Sequence, residues 1–166
     1  MLVNARQFKK ELHDKFIDTW YDEKYKYYHV GNWHREYNPP EDDWENMCFV
    51  SVDKDNNVIG CILYSIDRNI NSAYNFGAIN FTDDKLTFGV DLCKAIDNIF
   101  CKFNFNRIEF NVVCGNPIES SYDRMVQKFG GRIIGVRRNV AKLLDNKIYD
   151  DKIYEILRED YLQHKK

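Results

Sequence analysis

Residues 107–131, RIEFNVVCGNPIESSYDRMVQKFGG, contain the pattern that decides the fold. The first seven residues indicate a central β-strand. Asn116, Pro117 and Glu119 are residue types that begin a helix, as an N-cap, a proline in the first turn and a capping-box acid. Gly130 can take the left-handed conformation that ends a helix. The stretch therefore predicts a strand followed directly by a sharply bounded helix.

Two helices follow strands in this half of the chain. KLTFGVDLCKAIDNIFCKF, residues 85–103, comes after the strand that ends in INF. Both helix N-termini are therefore expected at the same edge of the sheet, where their free N–H groups would suit an anion such as a phosphate. Ordinary β-α connectivity is the alternative. The apolar faces are predicted to be Leu86, Val90, Cys93, Ile96, Phe100 and Phe103 on the first helix and Ile118, Tyr122, Met125, Val126 and Phe129 on the second.

The remaining segments complete a mixed α/β (α+β) pattern with helices on the faces of one sheet. Apolar side chains at helical spacing predict an amphipathic helix near the start, whereas period-two patterns and Asn-rich turns predict strands. Gly77 lies inside a strand and indicates a bulge or a close backbone approach. The predicted elements are a helix over 4–24, a loop over 31–46, strands within 47–67 around a turn at 55–57, a turn at 69–71, a strand over 72–81 and a terminal hairpin formed by 131–144 and 147–159.

Length and composition bound the function. The 166 residues predict a single domain, 1–166, with 1–46 as N-terminal helix and loop. A net charge of −2 gives no electrostatic reason to expect a nucleic-acid partner. No apolar run approaches membrane-spanning length and the start lacks a signal-peptide core, so we expect a cytoplasmic protein. Five scattered cysteines predict buried free thiols, and histidine spacing predicts no structural metal.

Residues 47–160 resemble the GNAT superfamily of acetyl-CoA-dependent N-acetyltransferases, in particular the ribosomal-protein and small-molecule acetyltransferases. The resemblance lies in RIEFNVV, in Asn116, in the helix that closes in QKFGG and in the hairpin after it. It implies a mostly antiparallel sheet with a splayed central strand pair, here 72–81 and 107–113. It also implies acetyl-CoA as co-substrate and allows a homodimer.

The resemblance further implies where acetyl-CoA lies. The pantetheine chain would pair with the backbone of Ile79, Asn80 and Phe81, and the side chain of Asn116 would touch the cofactor. The pyrophosphate would lie on the turn that follows, where this chain keeps only the last glycine of the family pattern and begins with an acid, Asp84. The residues implied for that turn are Lys85, Leu86, Thr87, Phe88 and Gly89.

Acetyl transfer requires a deprotonated amine, a polarised carbonyl and often a proton for the leaving thiolate. In relatives, a Tyr or Ser on the helix after the split strand supplies that proton, and Tyr122 and Ser121 stand at this place. Tyr122 also has a plain alternative, because it can pack its ring under the helix. Glu109 is the candidate base on the central strands, with a relayed water as the alternative.

Two N-terminal segments are candidates for the acceptor side. The acidic run Glu41, Asp42, Asp43 and Glu45, beside Trp33 and Trp44, would attract a cationic amine or would form a solvated loop. The run YDEKYKYYH, 21–29, would stack on nucleobases or cap the core at the end of the first helix.

Three functions remain open from the sequence. The first is an N-acetyltransferase that acts on a primary amine of a small molecule or protein by direct attack in a ternary complex. The second is a GNAT-fold protein that binds CoA or a protein without transferase activity, which the altered phosphate turn favours. The third is a nucleic-acid-binding accessory protein, against which the net negative charge argues.

Overall fold

The computed structural model describes residues 1–29 and 37–165. Seven strands form one sheet in the order β1-β2-β3-β4-β5-β7-β6. Every neighbouring pair is antiparallel except β4 and β5, which run parallel. The strands are β1 (Leu2–Asn4), β2 (Asn46–Val52), β3 (Val58–Asp67), β4 (Ser72–Asn80), β5 (Arg107–Val113), β6 (Arg132–Lys142) and β7 (Ile148–Leu157). The α-helices are α1 (Lys9–Thr19), α2 (Lys85–Asp97), α3 (Glu119–Lys128) and α4 (Arg158–His164).

The helices cover the two faces of the sheet unequally. The larger core cluster contains buried residues of α2, α3 and α4, such as Ile96, Val126 and Tyr161, so these helices share one face, here called the α2 face. The smaller cluster contains Leu12 of α1 with residues of β2, β3 and β4, so α1 covers the opposite, α1 face. The predicted α/β class with helices on both faces of a mostly antiparallel sheet is confirmed.

The N-terminal region departs from the prediction of one helix over 4–24. Leu2 pairs with Ser51, so the chain begins as an edge strand that the prediction missed. The side chain of Asn4 accepts a hydrogen bond from the Arg6 N–H and starts a 3₁₀ turn, Ala5–Phe8, before α1. A second 3₁₀ segment, Glu23–Tyr28, follows α1. Of the predicted loop, 31–36 lie outside the described residues, and 37–45 form neither helix nor strand.

Helix α2 is confirmed, but its predicted buried face is wrong in the first turns. Leu86 is 80 % exposed and Val90 is 61 % exposed, and Cys93 is also exposed. The helix instead buries Asp91, whose carboxylate lies 3.0 Å from the Met1 ammonium and accepts a 2.6 Å hydrogen bond from Ser51. A buried polar anchor therefore sets the rotation of α2, and an apolar periodicity does not reveal it. The residues that α2 and its π-helical extension, Asn98–Lys102, bury are Phe88, Asp91, Ala95, Ile96, Ile99 and Phe100.

Helix α3 ends as predicted and begins later than predicted. Gly130 has a φ of +73°, and the Gly131 N–H bonds the Val126 carbonyl at 2.9 Å, which is a Schellman ending. At the other end the Asn116 side chain accepts from the Ile118 N–H, so Asn116 closes a turn and the regular helix starts at Glu119. Within the predicted apolar face, Ile118 is exposed and the other four residues pack on the core.

Two further features bear on the cysteine and hairpin predictions. The terminal hairpin is confirmed as β6 and β7, but it continues into α4, which the sequence pattern missed. Cys48 and Cys61 are buried as predicted, whereas Cys93 and Cys101 are exposed and Cys114 is half-buried. No helix in the described part of the chain is both long and apolar enough to cross a bilayer.

Gly60 on β3 lies against Phe88 in the first turn of α2. A Cβ atom at Gly60 would come 2.7 Å from the Ile79 carbonyl oxygen and would overlap the Phe88 ring. We expect Gly60→Ala to lower the free energy of unfolding by about 1–3 kcal/mol, because the core is overpacked there. Urea denaturation followed by circular dichroism measures the change.

Gly77→Ala on β4 is the matched control. Its Cβ would lie 3.8 Å from the Leu63 Cγ, an ordinary contact, so its unfolding free energy should stay within about 1 kcal/mol of the parent. Equal effects of the two substitutions would contradict the close approach of Phe88.

Candidate active site

The parallel strands β4 and β5 pair at only two positions. Ser72 pairs with Arg107 and Ala73 pairs with Ile108, and both strands then continue without further pairing. Because β4 stays bonded to β3 and β5 stays bonded to β7, the facing edges of two central strands diverge. Backbone N–H and C=O groups along these edges therefore lack sheet partners, and a ligand with amide groups can supply them.

A bulge in β4 lies at the start of the divergence. Leu63 pairs with Gly77, but Ser65 pairs with Tyr74, so β4 carries one extra residue there. Asn75 in this bulge has a φ of +51°, the left-handed conformation that Asn accepts more readily than most residues. The predicted bulge is confirmed, and the residue that forms it precedes Gly77 by two positions.

Ile79, Asn80 and Phe81 are the three residues predicted to hold pantetheine, and their backbone groups do not all face the opening. The Phe81 N–H bonds the Ile59 carbonyl on β3, so the Phe81 amide faces away from the opening. Successive residues of a strand direct their backbone groups to opposite sides, and the groups of Asn80 and Ala78 therefore face β5. Ile79 is buried in the α1-face cluster. Ala78 is a residue that the sequence reasoning missed.

Side-chain hydrogen bonds fix the turn between β4 and α2. The Asn80 Oδ1 accepts from both the N–H and the hydroxyl of Thr82, and the Asn80 Nδ2 donates to the Asp84 carbonyl. Asp84 is the N-cap of α2, because its Oδ1 accepts from the Thr87 N–H at 2.9 Å. These backbone bonds lower the pKa of the Asp84 carboxyl. The chain's own carboxylate thus occupies part of the predicted phosphate turn.

The other residues predicted for the phosphate turn lie in different surroundings. Lys85 and Leu86 are exposed, and Phe88 is buried against Gly60. A side chain at Gly89 would meet no atom within 4 Å, so the helix surface is open there. The turn therefore offers a cation, open surface and the N–H groups that Asp84 leaves free.

The turn after β5 is also fixed by its own side chains. The Glu119 carboxylate accepts from the Gly115 N–H at 3.0 Å, which is one residue earlier than a capping box would place the bond. The Asn116 Oδ1 accepts from Ile118 at 3.1 Å. Asn116 thus lies past the end of β5, at the same edge of the sheet as the α2 N-terminus, as the sequence predicts.

Tyr122 of α3 packs its ring beside the diverging strands. Its ring centroid lies 5.3 Å from Phe110 and 6.5 Å from Tyr154. Burial, and secondarily the nearby Tyr28, raises the pKa of Tyr122 well above its usual range, so the hydroxyl keeps its proton. Within residues 1–29 and 37–165 this hydroxyl makes no hydrogen bond. It is therefore free to donate to a ligand.

The other two predicted catalytic residues have partners. The Ser121 Oγ accepts from Arg124 at 3.2 Å. The Glu109 carboxylate is ion-paired with Arg107 and is partly exposed. Glu109 follows Ile108, the last residue of β5 that pairs with β4. It lies on the face of the sheet opposite to that of Phe110.

Solved acetyltransferase structures are similar to this chain in fold. A spermidine N-acetyltransferase from Vibrio cholerae, in complex with CoA and spermine, is 20 % identical over 98 % of this chain and 97 % of its own, with a TM-score of 0.74. A point mutant of the SpeG spermidine N-acetyltransferase from Vibrio cholerae is 19 % identical over 100 % and 99 %, with a TM-score of 0.73. A probable acetyltransferase gives 0.58 at 17 % identity over 71 % and 65 %. No family model and no curated protein matches the chain.

The chain has the GNAT fold. The resemblance stated from the sequence is thereby confirmed as a fold, with β4 and β5 as the splayed pair that it implies.

In this GNAT fold the 23–28 segment spans the open end of the strand pair. Lys24 lies 3.2 Å from Asp83, which follows β4. Tyr27 lies near Gly115, which follows β5, because a Cβ on that glycine would come 3.7 Å from the Tyr27 hydroxyl. Tyr25 is buried in the α1-face cluster, which supports the interpretation that this run caps the core. The sequence analysis did not predict that this segment reaches the ends of both β4 and β5, although its run of tyrosines was a signal.

An ion-pair network that the sequence reasoning missed fixes α3 on β7. Lys152 of β7 pairs with Glu119 and lies 3.2 Å from Asp123, both on α3. The Tyr154 hydroxyl donates to Asp123 at 2.7 Å. Nearby, Arg137 pairs with the buried Asp151 at 2.6 Å, so it is more than the surface charge its hairpin position suggests. The available signal was the pair of acids four residues apart on α3, Glu119 and Asp123, and the single cation of β7, Lys152.

The acidic run lies away from the strand opening, around the start of β2. Glu41, Asp42 and Glu45 line a cavity of about 420 Å³ together with Trp44. Arg68 stacks on the exposed Trp44 ring at 4.7 Å, and Asp43 pairs with Arg6 at 2.6 Å. Cations of the same chain therefore already contact part of this run. Trp33 lies outside the described residues.

We expect Lys152→Met to lower the free energy of unfolding by about 1–2 kcal/mol at neutral pH, because two carboxylates lose a charged donor at a partly exposed site. Lys152 lowers the pKa of Glu119, and Tyr154 followed by Lys152 lowers that of Asp123. Their contribution is present above about pH 4 and is lost as the pH falls through the lowered values. Urea denaturation at neutral and acid pH should therefore show a deficit that shrinks in acid.

Lys147→Met, at an exposed lysine of the β6–β7 turn, is the matched control and should change little at either pH. A deficit for Lys152→Met that persists unchanged in acid would contradict the ion-pair explanation.

Proposed function

We propose that the chain is an N-acetyltransferase that transfers acetyl from acetyl-CoA to a primary amine by direct attack in a ternary complex. The divergence of β4 and β5 after two paired positions carries this proposal. It leaves backbone donors and acceptors facing each other beside the protonated Tyr122 hydroxyl, which has no hydrogen-bond partner among residues 1–29 and 37–165. An extended ligand with amide groups and a leaving group that needs a proton fits this combination.

Different residues along the opening would bind the cofactor, donate the proton and admit the amine. The backbone of Ala78 and Asn80 would hold the amides of the pantetheine arm, and the turn before α2 would hold the phosphates with Lys85. Acetyl-CoA would supply an activated thioester. Tyr122 would donate its proton to the thiolate as the new amide forms, and the amine would enter beside Tyr27 and Tyr28, in the segment that lies across the open end of the strand pair.

We propose a small aliphatic amine as the acceptor. Two structural neighbours act on spermidine by name, and one of them holds spermine together with CoA. The 23–28 segment lies across the open end of the strand pair, and this favours a slender chain over a folded protein segment. Because Glu109 is held by Arg107, a relayed water would take the proton of the amine.

A CoA-binding or protein-interaction module without transfer activity is the second candidate. The observation that favours it is Asp84, whose carboxylate caps α2 where phosphates would lie. The two candidates differ in turnover. Release of free CoA thiol is measured with acetyl-CoA and a panel of aliphatic diamines, polyamines and N-terminal peptides. Turnover with an amine supports the transferase, whereas binding without any turnover supports the module.

Tyr122→Phe should lower kcat by about 100-fold, because general-acid groups contribute on this scale. Its affinity for acetyl-CoA should be unchanged, since Phe keeps the ring contacts with Phe110 and Tyr154. Steady-state rates and calorimetric titration measure the two quantities separately. Ser121→Ala is the matched comparison and should keep most of the rate. A rate lost in Ser121→Ala and kept in Tyr122→Phe would move the proton donor to the serine.

Charge at the start of α2 should control acetyl-CoA affinity. Asp84→Asn keeps a capping side chain and removes a negative charge, so affinity should rise several-fold at low salt. Gly89→Glu adds a negative charge to open surface one turn into the helix, so affinity should fall. Calorimetric titration at two salt concentrations measures both effects.

Two control variants separate the effect of charge on affinity from the effect of side-chain shape. Gly89→Gln has the shape of the glutamate without its charge and should bind like the parent. Glu159→Gln removes a charge from α4, at the opposite edge of the sheet, and should also leave affinity unchanged. Equal affinities across all four variants would place the phosphates elsewhere.

A further inference from the structure

Two cysteines on neighbouring strands lie in contact under α1. Cys48 of β2 and Cys61 of β3 belong to the α1-face cluster, and both are buried. Their Sγ atoms are 3.5 Å apart. Register pairs Cys48 with Leu63 and Cys61 with Val50, so the two thiols are diagonal neighbours on one face of the sheet. Nothing in the proposed acetyl transfer uses them.

A polar partner and a cavity accompany this thiol pair. The Tyr37 hydroxyl lies 3.0 Å from the Cys48 Sγ. Cys48 also lines a cavity of about 310 Å³ with Tyr37, Leu63, Asn38 and Asn46. Both asparagines are exposed, so the cavity leads from solvent towards Cys48. Cys61 does not line it. One thiol of the pair is thus reachable by a small solute, and the other lies behind it.

We propose that Cys48 and Cys61 form a peroxide-oxidised thiol pair, in which Cys48 is the attacking sulfur and Cys61 resolves the product to a disulfide. The ligand class is a small hydroperoxide, with hydrogen peroxide as the simplest member. The proposal stands on the contact between the thiols, the Tyr37 hydroxyl and the cavity that reaches only Cys48.

The reaction balances with these groups alone. The Cys48 thiolate attacks one peroxide oxygen, an S–O bond forms, the O–O bond breaks, and hydroxide leaves as water with the proton that Cys48 gave up. The Cys61 sulfur then attacks the Cys48 sulfur, the S–S bond forms, and the S–O bond breaks. The second hydroxide leaves as water with the Cys61 proton. Two thiols lose two electrons and two hydrogens, and one peroxide becomes two waters.

The surroundings favour this order of attack. The hydrogen bond from the Cys61 thiol, helped by that from Tyr37, lowers the pKa of Cys48 against the effect of burial. The same contact with Cys48, together with burial, raises the pKa of Cys61. The thiolate therefore forms on the sulfur that lines the cavity, and thiolate is the reactive form.

The diagonal register makes the disulfide reversible. A disulfide requires sulfur atoms about 2.0 Å apart, and diagonal partners are farther apart at Cβ than directly opposed ones. Closing the 3.5 Å gap must therefore pull β2 and β3 against their own ladder. Disulfides held under strain are the more easily reduced ones.

Packed rings connect the thiol pair to the end of β4. Tyr37 stacks on Phe16 of α1 at 4.3 Å, and Phe16 meets Phe81 edge-on at 5.4 Å. Phe81 directly follows β4, at the turn proposed to hold the cofactor. Oxidation that moves Cys48 removes the Tyr37 hydrogen bond and shifts this row of rings. Its effect on acetyl-CoA affinity rests on the proposed function, whereas the disulfide itself does not.

The first test uses the full chain and hydrogen peroxide, with mass spectrometry as the readout. We expect a peptide map to join the Cys48 and Cys61 peptides, reversibly with dithiothreitol, and we expect the intact mass to fall by two hydrogens wherever the other three cysteines are absent. A variant with Cys93→Ser, Cys101→Ser and Cys114→Ser should react alike, because the pair is intact. Free thiols at both positions, under peroxide that oxidises the exposed Cys93, would overturn the proposal.

Single variants test the order of attack. Cys61→Ser should stop at a Cys48 sulfenic acid that dimedone traps, and Cys48→Ser should leave Cys61 reduced. Tyr37→Phe keeps the stack on Phe16 and should slow disulfide formation several-fold. Dimedone labelling of Cys61 in Cys48→Ser, at the rate seen for Cys48, would overturn the assigned roles.

A second arm separates the disulfide from the cofactor site. Calorimetric titration of reduced and oxidised protein with acetyl-CoA should show several-fold weaker binding after oxidation. If reduced protein binds no acetyl-CoA while the disulfide forms, the proposed function fails and the thiol pair stands. If both forms bind equally, the coupling through Tyr37 and Phe81 is wrong.

Discussion

The divergence of β4 and β5 is the constraint on which the rest of the structure depends. The split leaves two facing rows of backbone groups without sheet partners at the centre of the sheet. A row of rings on the α2 face joins the two halves across the split. Phe76 of β4 lies 6.0 Å from Phe110 of β5, and each has a further ring behind it, Tyr64 on β3 and Tyr154 on β7. Apolar contact thus replaces the missing ladder and keeps the opening in place.

At the open end of the strand pair, the free energy of the Asp84 cap has to be compared with the binding free energy of an anionic ligand. The Asp84 carboxylate caps α2, and an N-cap is worth about 1 kcal/mol. Micromolar affinity corresponds to about 8 kcal/mol, so a ligand that engages the whole opening can displace one exposed cap and still bind. Asp83 is partly offset by Lys24 at 3.2 Å. The acids therefore tune affinity for an anionic ligand without closing the site to it.

Local patterns in the sequence were sufficient for the meander, the strand RIEFNVV, the hairpin and the Gly130 helix ending, because each depends on residues a few positions apart. The splayed pair was implied only by the family resemblance. The rotation of α2 was not predictable, since it depends on Asp91 meeting Ser51 and the Met1 ammonium from remote parts of the chain. The Lys152 network and the Tyr27 contact are remote in the same way. Tyr122 lies on the helix after β5 and Asn116 lies past the end of β5, as predicted, but their hydrogen bonds required coordinates and their roles stay predictions.

Asp91 and Tyr122 each place a polar group among apolar side chains. Whether that group has a hydrogen-bond partner distinguishes their roles. Asp91 is a buried acid on an apolar face, yet its carboxylate is satisfied by an ammonium and a hydroxyl, so anchoring α2 accounts for it. Tyr122 is the reverse case. Its ring packs as a phenylalanine would, and its hydroxyl has no partner in the described part of the chain, so the fold gains nothing from that oxygen. A hydroxyl that stands among rings without a partner there can complete its hydrogen bond with a ligand. The opening between β4 and β5 is where such a ligand would lie.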